Sequence, residues 1–259
     1  MNDIRVLVEK KSPIAIVTLN EPEKRNPFSP TMVRQLNAAL VDLAADETIV
    51  VVIFTGAGPA FSGGADLREM RKASPLEDRS EYEHILTKNR LVWNFPKVTI
   101  AAVNGFALGG GAALVAWSDL AIMDESATIG YPEVKAGVAA ATVIPSLQRV
   151  IGRKAMNELL YTGRAVSAAE AHRLGLVNRV VSKGTALAAA TELALEIAKN
   201  EAHALAFTKE VVRTTTDMEY SKAIQYARDV RVISRLHPKF QGRIDKYLSK
   251  DPVQTEGNK

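Results

Sequence analysis

The chain has 259 residues, room for one large domain or a domain with an appendage, and enough to bury a core without covalent staples. It contains no cysteine, which excludes disulfides, thiolate metal sites and a cysteine nucleophile, and its four histidines (His84, His172, His203, His237) are not spaced to share a metal, so no metal is expected. The net charge of +4 is small for this length, no apolar run is long enough to span a membrane, and the opening MNDIRVLVEKK lacks the basic and apolar segments of a secretory leader; a soluble cytoplasmic protein without membrane or nucleic-acid partners is expected.

In chain order, Ile4–Val8 and Ile14–Leu19 are rich in β-branched residues and read as strands, with Lys10–Pro13 as the turn between them. The polar loop NEPEKRNPFS follows, and its Ser29 with Pro30 forms an N-cap and first-turn pair. Met32, Val33, Leu36, Leu40 and Leu43 then repeat at helical spacing. Ile49–Phe54 and Val98–Val103 are continuous apolar runs, the pattern of parallel strands covered on both faces. Leu120–Met123 and Leu176–Val181 are further strand candidates, and from about Thr185 the pattern is helical to the end. This predicts an α/β core over residues 1–195 and a helical region over 196–259. In the latter, the basic residues between Asp217 and Lys250 read as a solvated or subunit-packing face.

Three segments could carry chemistry. Ala60–Met70 (AFSGGADLREM) follows the first apolar run, and its small residues let the backbone turn sharply and present N–H groups. Asn104–Gly111 (NGFALGGG) follows the second run and leads into a helical stretch whose first amides are unpaired and lie at the positive end of the dipole. Two such loops can aim two amides at one developing negative charge. The third segment, Gly130–Glu133, holds a carboxylate in a tight turn. Each also has an ordinary reading, since glycines after strands make turns and a Pro-Glu turn is commonly solvated. Gly56-Ala57-Gly58 lacks the third glycine of a dinucleotide fingerprint, Phe61 standing in its place, and no Walker A or Gly-x-Ser-x-Gly motif occurs.

Taken with IAAVNGFALGGGAALVAWSDLAI, GYPEVKAG and LLYTGRAVSAAEAHRLGLVNRVV, these segments give nearly the whole chain a resemblance to the enoyl-CoA hydratase/isomerase (crotonase) family. The resemblance implies an α/β crotonase-type spiral of repeated ββα units with a helical C-terminal trimerisation region, assembled as a homotrimer or a hexamer built from two trimers. It implies an acyl-CoA or enoyl-CoA thioester substrate of fatty acid metabolism, with no separate cofactor because coenzyme A enters as part of the substrate. By position, the family's oxyanion amides fall on Ala65 and Gly110, its acyl-CoA-binding loop on Ala65, Asp66, Leu67 and Arg68, and nucleotide contacts on Lys24 and Arg25. Lys246 and Lys250 are looser candidates for the tail's contacts. Of the carboxylates found across the family, Glu133 is present, whereas Ala113 and Ala141 stand where others occur.

One carboxylate suffices for syn hydration of a 2-enoyl-CoA, with Tyr131 or a backbone-held water assisting, and equally for double-bond isomerisation, in which it shuttles a proton from C2 to C4. Hydration is the leading expectation and isomerisation the alternative. Acyl-CoA hydrolysis, decarboxylation and a non-catalytic CoA- or RNA-binding role rank lower. The acyl pocket is expected from the 70–95 segment and from Tyr131–Ile144.

Overall fold

A computed structural model describes residues 3–66, 68 and 74–249. They form two compact units, the first ending at Asn200 and the second beginning at Glu201.

The first unit is built on a six-stranded sheet. Strands β1 (Val6–Lys11) and β2 (Ile14–Leu19) form an antiparallel hairpin; β2 has the expected bounds, whereas β1 starts at Val6 rather than Ile4 and pairs through Lys10 and Lys11, which the sequence pattern assigns to the turn. Strands β4 (Val51–Gly56), β7 (Val98–Val103), β9 (Leu120–Asp124) and β12 (Arg179–Val181) then add in parallel. All six residues of β4 are buried, as its unbroken apolar run predicts. The register sets Ile16, Ile53 and Ile100 side by side on one face, packed with Ala186, Ala190 and Ala194 of α7 (Ala186–Ile197). Val17, Phe54 and Ala101 line up on the other face. There they join the apolar stripe of α1 (Pro30–Ala45), whose Met32, Val33, Leu36, Leu40 and Leu43 are all buried and whose N-cap Ser29 Oγ accepts from Met32 N. Buried Asp124 at the end of β9 accepts from the amides of Gly184, Thr185 and Ala186 and so fixes the start of α7.

The stretch expected as a strand from Leu176 is extended only over Arg179–Val181. Helix α6 (Ala168–Leu174) ends on Gly175 at φ 84°, and Leu176 and Val177 drop into the core rather than the ladder. Asn178 Oδ1 accepts from Ala121 N and starts the pairing one residue later.

A second sheet of shorter strands carries the glycine-bearing loops. Its order is β11 (Ala165–Ser167), β10 (Thr128–Gly130), β8 (Phe106–Leu108) and β5 (Ala60–Ser62), with β10, β8 and β5 parallel. Beside it β3 (Pro27–Phe28) pairs with β6 (Gly64–Ala65). Helices α2 (Pro75–Trp93), α3 (Gly110–Trp117), α4 (Ile144–Leu147) and α5 (Arg153–Thr162) complete this unit with α1, α6 and α7.

Asn26 stitches the second sheet to the loop before α1. It is fully buried at φ 53°, a backbone state that asparagine tolerates better than most residues. Its amide donates to the carbonyls of Ala57, Ala60 and Phe61, and its Oδ1 accepts from Glu21 N. Its own carbonyl accepts from Ser62 Oγ at 2.8 Å, and Gly63 N donates to the Arg25 carbonyl at 2.7 Å.

The second unit consists of α8 (Ala202–Thr215), α9 (Tyr220–Ser234) and α10 (Phe240–Leu248). Tyr226 Oη donates to Glu210, and the rings of His203 and His237 stack 3.9 Å apart. Val230 is its one buried hydrophobic residue among those described. No helix among the described residues is long and apolar enough to cross a membrane.

Replacing Asn26 with alanine strands several buried carbonyls and forces an alanine into a left-handed backbone. Asn26→Ala is expected to lose about 2–4 kcal/mol of stability in urea denaturation, with an unchanged fluorescence signature of the native state.

Candidate functional site

Pairing in the second sheet decides what meets what. In the parallel ladder Ser62 lies opposite Ala107 and Leu108 opposite Gly130. The residues just beyond each strand are therefore neighbours: Gly63–Ala65 after β5, Gly109–Gly110 after β8, and Tyr131–Glu133 after β10. Gly109 N donates to the Gly130 carbonyl at 2.9 Å, which extends the ladder into these turns.

Two glycines make the convergence possible. Gly64 has φ 87°, and a Cβ placed on it would lie 2.6 Å from the Leu108 carbonyl oxygen and 3.4 Å from Gly110 N. Gly109 has φ 50°, and a Cβ there would sit 2.9 Å from Glu133 Oε1. A side chain at either position would push the turns apart. Gly109 is also the N-cap of α3, so the amide of Gly110 opens the first turn of an apolar helix, where amides lack intrahelical partners.

The result is a cavity of about 130 Å³ lined by Ala65, Gly109 and Gly110 on one side and by Pro132, Glu133 and Val143 on another. Tyr82, Ile85 and Lys88 from α2 close a further wall, so both stretches expected to form the pocket contribute to it. A wider groove of about 550 Å³ adjoins it, sharing Gly63 and Ala65. Lys24, Arg25, Asp66 and Arg68 line the groove together with Glu23 and Phe106.

Among the described residues, Glu133 is the only carboxylate lining the cavity. It sits in a 3-10 turn over Pro132–Ala136 that ends on Gly137 at φ 71°. The side chain is half-buried, and its Oε2 has no hydrogen-bond partner among the described residues. Burial raises its pKa above the usual carboxylate value, against a smaller lowering by its own backbone N–H. Tyr131 is fully buried with a hydroxyl that has no hydrogen-bond partner among the described residues, and burial, reinforced by the Glu133 charge, pushes its phenol well above its ordinary range. It therefore stays neutral, a donor close to the carboxylate.

The sequence-derived site residues thus fall into two groups. Ala65, Gly110 and Glu133 meet at the cavity, and Ala65, Asp66 and Arg68 with Lys24 and Arg25 line the groove. Lys24 Nζ is already paired with Glu21 at 2.6 Å, and the Arg25 guanidinium lies 5.9 Å above the Phe106 ring. Asp66 Oδ1 accepts from Arg68 N. Leu67 and Lys250 lie outside the described residues, and Lys246 falls on α10 in the second unit. Ala113 is buried in the core on α3 and Ala141 is exposed.

Two participants were not singled out from the sequence. Asn26 holds the Ser62–Ala65 turn through its carbonyl. Lys88 lines the cavity at a position where helical spacing between Ile85 and Val92 calls for an apolar residue, and that break in the stripe is the signal that could have found it.

Parallel strands that deliver three turns to one cavity at their carboxyl ends, flanked by helices, make up a crotonase-type α/β fold. Among solved structures, that of an enoyl-CoA hydratase from Mycobacterium smegmatis superposes with a TM-score of 0.92 at 29% identity, covering 96% of this chain and 97% of the other. An enoyl-CoA hydratase structure from Geobacillus kaustophilus gives 0.90 at 32% identity, covering 98% and 99%. In sequence, a Thermus thermophilus protein named "Putative enoyl-CoA hydratase" is 48% identical over 206 residues, 78% of this chain and 81% of its own length. The profile of the family Enoyl-CoA hydratase/isomerase matches residues 9–258, and the chain belongs to that family.

A methyl group on Gly109 would meet the carboxylate at 2.9 Å in a backbone state that disfavours L-residues. Gly109→Ala is expected to lower stability by about 1–3 kcal/mol and to swing Glu133 away from the turn, both readable from thermal unfolding and a crystal structure of the variant.

Proposed function

We propose that this protein is an enoyl-CoA hydratase that adds water syn across the double bond of a 2-enoyl-CoA. One observation carries the reading: a buried, unpartnered carboxylate oxygen of Glu133 opens onto the same cavity as the turns bearing the Ala65 and Gly110 amides.

In this reading the thioester lies where cavity and groove meet, its carbonyl oxygen facing the amides of Ala65 and Gly110. Coenzyme A, part of the substrate rather than a separate cofactor, runs out along the groove. Lys24, Arg25 and Arg68 attract its phosphates, and the Ala65–Arg68 segment supplies backbone contacts, with Asp66 bracing that turn. Glu133 takes a proton from water as the water oxygen bonds to C3. Electrons move onto the thioester oxygen, where the two amides hold the enolate charge. Glu133 then returns that proton to C2 on the same face, so one carboxylate completes the addition. Tyr131, kept neutral, assists as a hydrogen-bond donor toward the water.

The presence of one carboxylate at the cavity among the described residues, with alanine at positions 113 and 141, favours a second reading: isomerisation, in which Glu133 moves a proton from C2 to C4 and no water is added. Hydrolysis, decarboxylation and a non-catalytic CoA- or RNA-binding role follow behind. Mass analysis of products separates the reactions, hydration adding one water, isomerisation changing no mass, hydrolysis releasing CoA and decarboxylation releasing carbon dioxide. Salt-dependent RNA binding without turnover would mark the binding role.

We also infer a homotrimer or hexamer in the cytoplasm, acting in fatty acid metabolism. Exposed apolar residues of the second unit, among them Val212, Ile224, Val232, Ile233 and Leu236, support an assembly that covers them. Sedimentation analysis would find a monomer if this is wrong.

Glu133→Gln is expected to lose about 10²- to 10⁴-fold in kcat on the preferred enoyl-CoA, the usual worth of general acid–base catalysis. Near-normal turnover would remove Glu133 from the mechanism. The fold should not suffer. A carboxyl whose native pKa is raised contributes stability below its unfolded pKa and loses it as pH rises through the native one, so at neutral pH the variant should unfold no earlier than the parent.

The same shift governs the pH profile. Glu133 must be ionised to accept a proton from water, so the acidic limb of kcat/KM should have its midpoint above 4.5, the ordinary glutamate value. A limb centred at or below that value would show that another group titrates.

A further inference from the structure

Lys88 stands out among the ionisable side chains that the proposed hydration does not use. It projects from α2, is only 2% exposed, and lines the cavity that holds Glu133. Its Nζ sits 4.1 Å from the centre of the Phe28 ring, and Phe28 lines the same cavity. The ring face offers the cation a partial partner. No carboxylate among the described residues pairs with it, and although Glu133 lines the same space the two form no ion pair. Burial alone pushes its pKa down to about 8, with no opposing pull from a nearby anion. At neutral pH the ammonium form therefore still prevails.

A buried ammonium group without a counter-ion is costly to the fold. Most of the other lining residues are apolar or small, among them Phe28, Ile85, Ala136, Val138 and Val143, and the polar ones besides Glu133, Tyr82 and Thr142, carry hydroxyls and no negative charge. An unbranched hydrocarbon tail would leave the charge unmatched, whereas an anion brought in by the ligand would match it in a low-dielectric setting where the attraction is strong.

We propose that Lys88 is a specificity residue that selects acyl-CoA substrates whose acyl chain ends in a carboxylate, that is, monothioesters of short unsaturated dicarboxylic acids. This rests on the acyl-CoA reading above and narrows it to one substrate class. The carboxylate would accept from the Lys88 ammonium group while the thioester end reaches Ala65, Gly110 and Glu133. Lys88 does not touch the reacting carbons; it sets which chain enters and how deeply.

Binding, measured apart from turnover, tests this. Calorimetric titration of the intact protein would use saturated acyl-CoA thioesters, which cannot be hydrated, in three matched forms ending in a carboxylate, a carboxamide or a methyl group, each at several short chain lengths. The expected result is that the carboxylate form binds at least about tenfold tighter than both others at its best length, the scale of one charge-assisted hydrogen bond. In Lys88→Met, which fits the apolar wall, the order should invert, the methyl form becoming the tightest.

Equal affinity for all three, or a preference for the methyl form in the parent protein, would overturn the assignment while leaving the acyl-CoA reading in place. A carboxamide as tight as the carboxylate would overturn the requirement for an anion. No binding of any thioester would overturn both. The comparison among ligands uses the unaltered protein, so a failure of Lys88→Met to fold would not protect the proposal.

Discussion

The candidate site depends on the register of three short parallel strands. Ser62 opposite Ala107 and Leu108 opposite Gly130 align the ends of β5, β8 and β10, and the next few residues of each strand must then share one space. A slip of a single residue would turn each strand's side chains to the other face and carry Glu133 away from Gly109. Gly64 and Gly109 let the backbones close to a separation that no side chain would allow, and Asn26 pins the first of the three turns from outside the sheet. The cavity follows from pairing and from the absence of side chains at two positions, more than from any strong attraction between the groups that line it.

Much of this was legible in the sequence because it leaves local marks. The apolar runs of β4 and β7 were readable since both faces of a parallel strand are covered, and α1 was readable from its stripe and its Ser29 cap. Glycine-rich turns after apolar strands marked the two amide-bearing loops. What the sequence hides is long-range. Nothing near Glu133 announces that β10 pairs beside β8, so by spacing alone it is an ordinary turn carboxylate, and only the family resemblance lifted it above that. Asn26 lay within a recognised polar loop, but its bonds reach residues more than thirty positions away. The strand expected from Leu176 was shortened because a glycine cap and core burial of Leu176 and Val177 outweigh β-propensity, a tertiary effect that no local window contains.

Lys88 and Glu133 make the cavity electrostatically unusual. Each is an ionisable group with reduced hydration, each lacks an ion-pair partner among the described residues, and they do not neutralise one another. Burial acts on them in opposite directions, raising the acid and lowering the base, so that both are held nearer to neutrality than they would be in water. For Glu133 that is useful to a group asked to take and return a proton in one cycle, because neither protonation state becomes a trap. For Lys88 the shift is too small to discharge it at neutral pH, and the charge remains available to a ligand.

The separation of these two groups is itself informative. Had Lys88 lain against Glu133, the pair would have locked the carboxylate in its ionised form and lowered its pKa, and proton return to carbon would have been harder. Placed on α2, away from the turn that carries Glu133, the cation can influence which acyl chain fills the cavity without holding the acid in one state. In the proposed reading, chemistry and selection belong to different structural elements: the first to turns fixed by strand register, the second to one face of a helix. A change in α2 can alter the chain accepted without disturbing the convergence of Ala65, Gly110 and Glu133, since none of the strand pairings that create it passes through that helix.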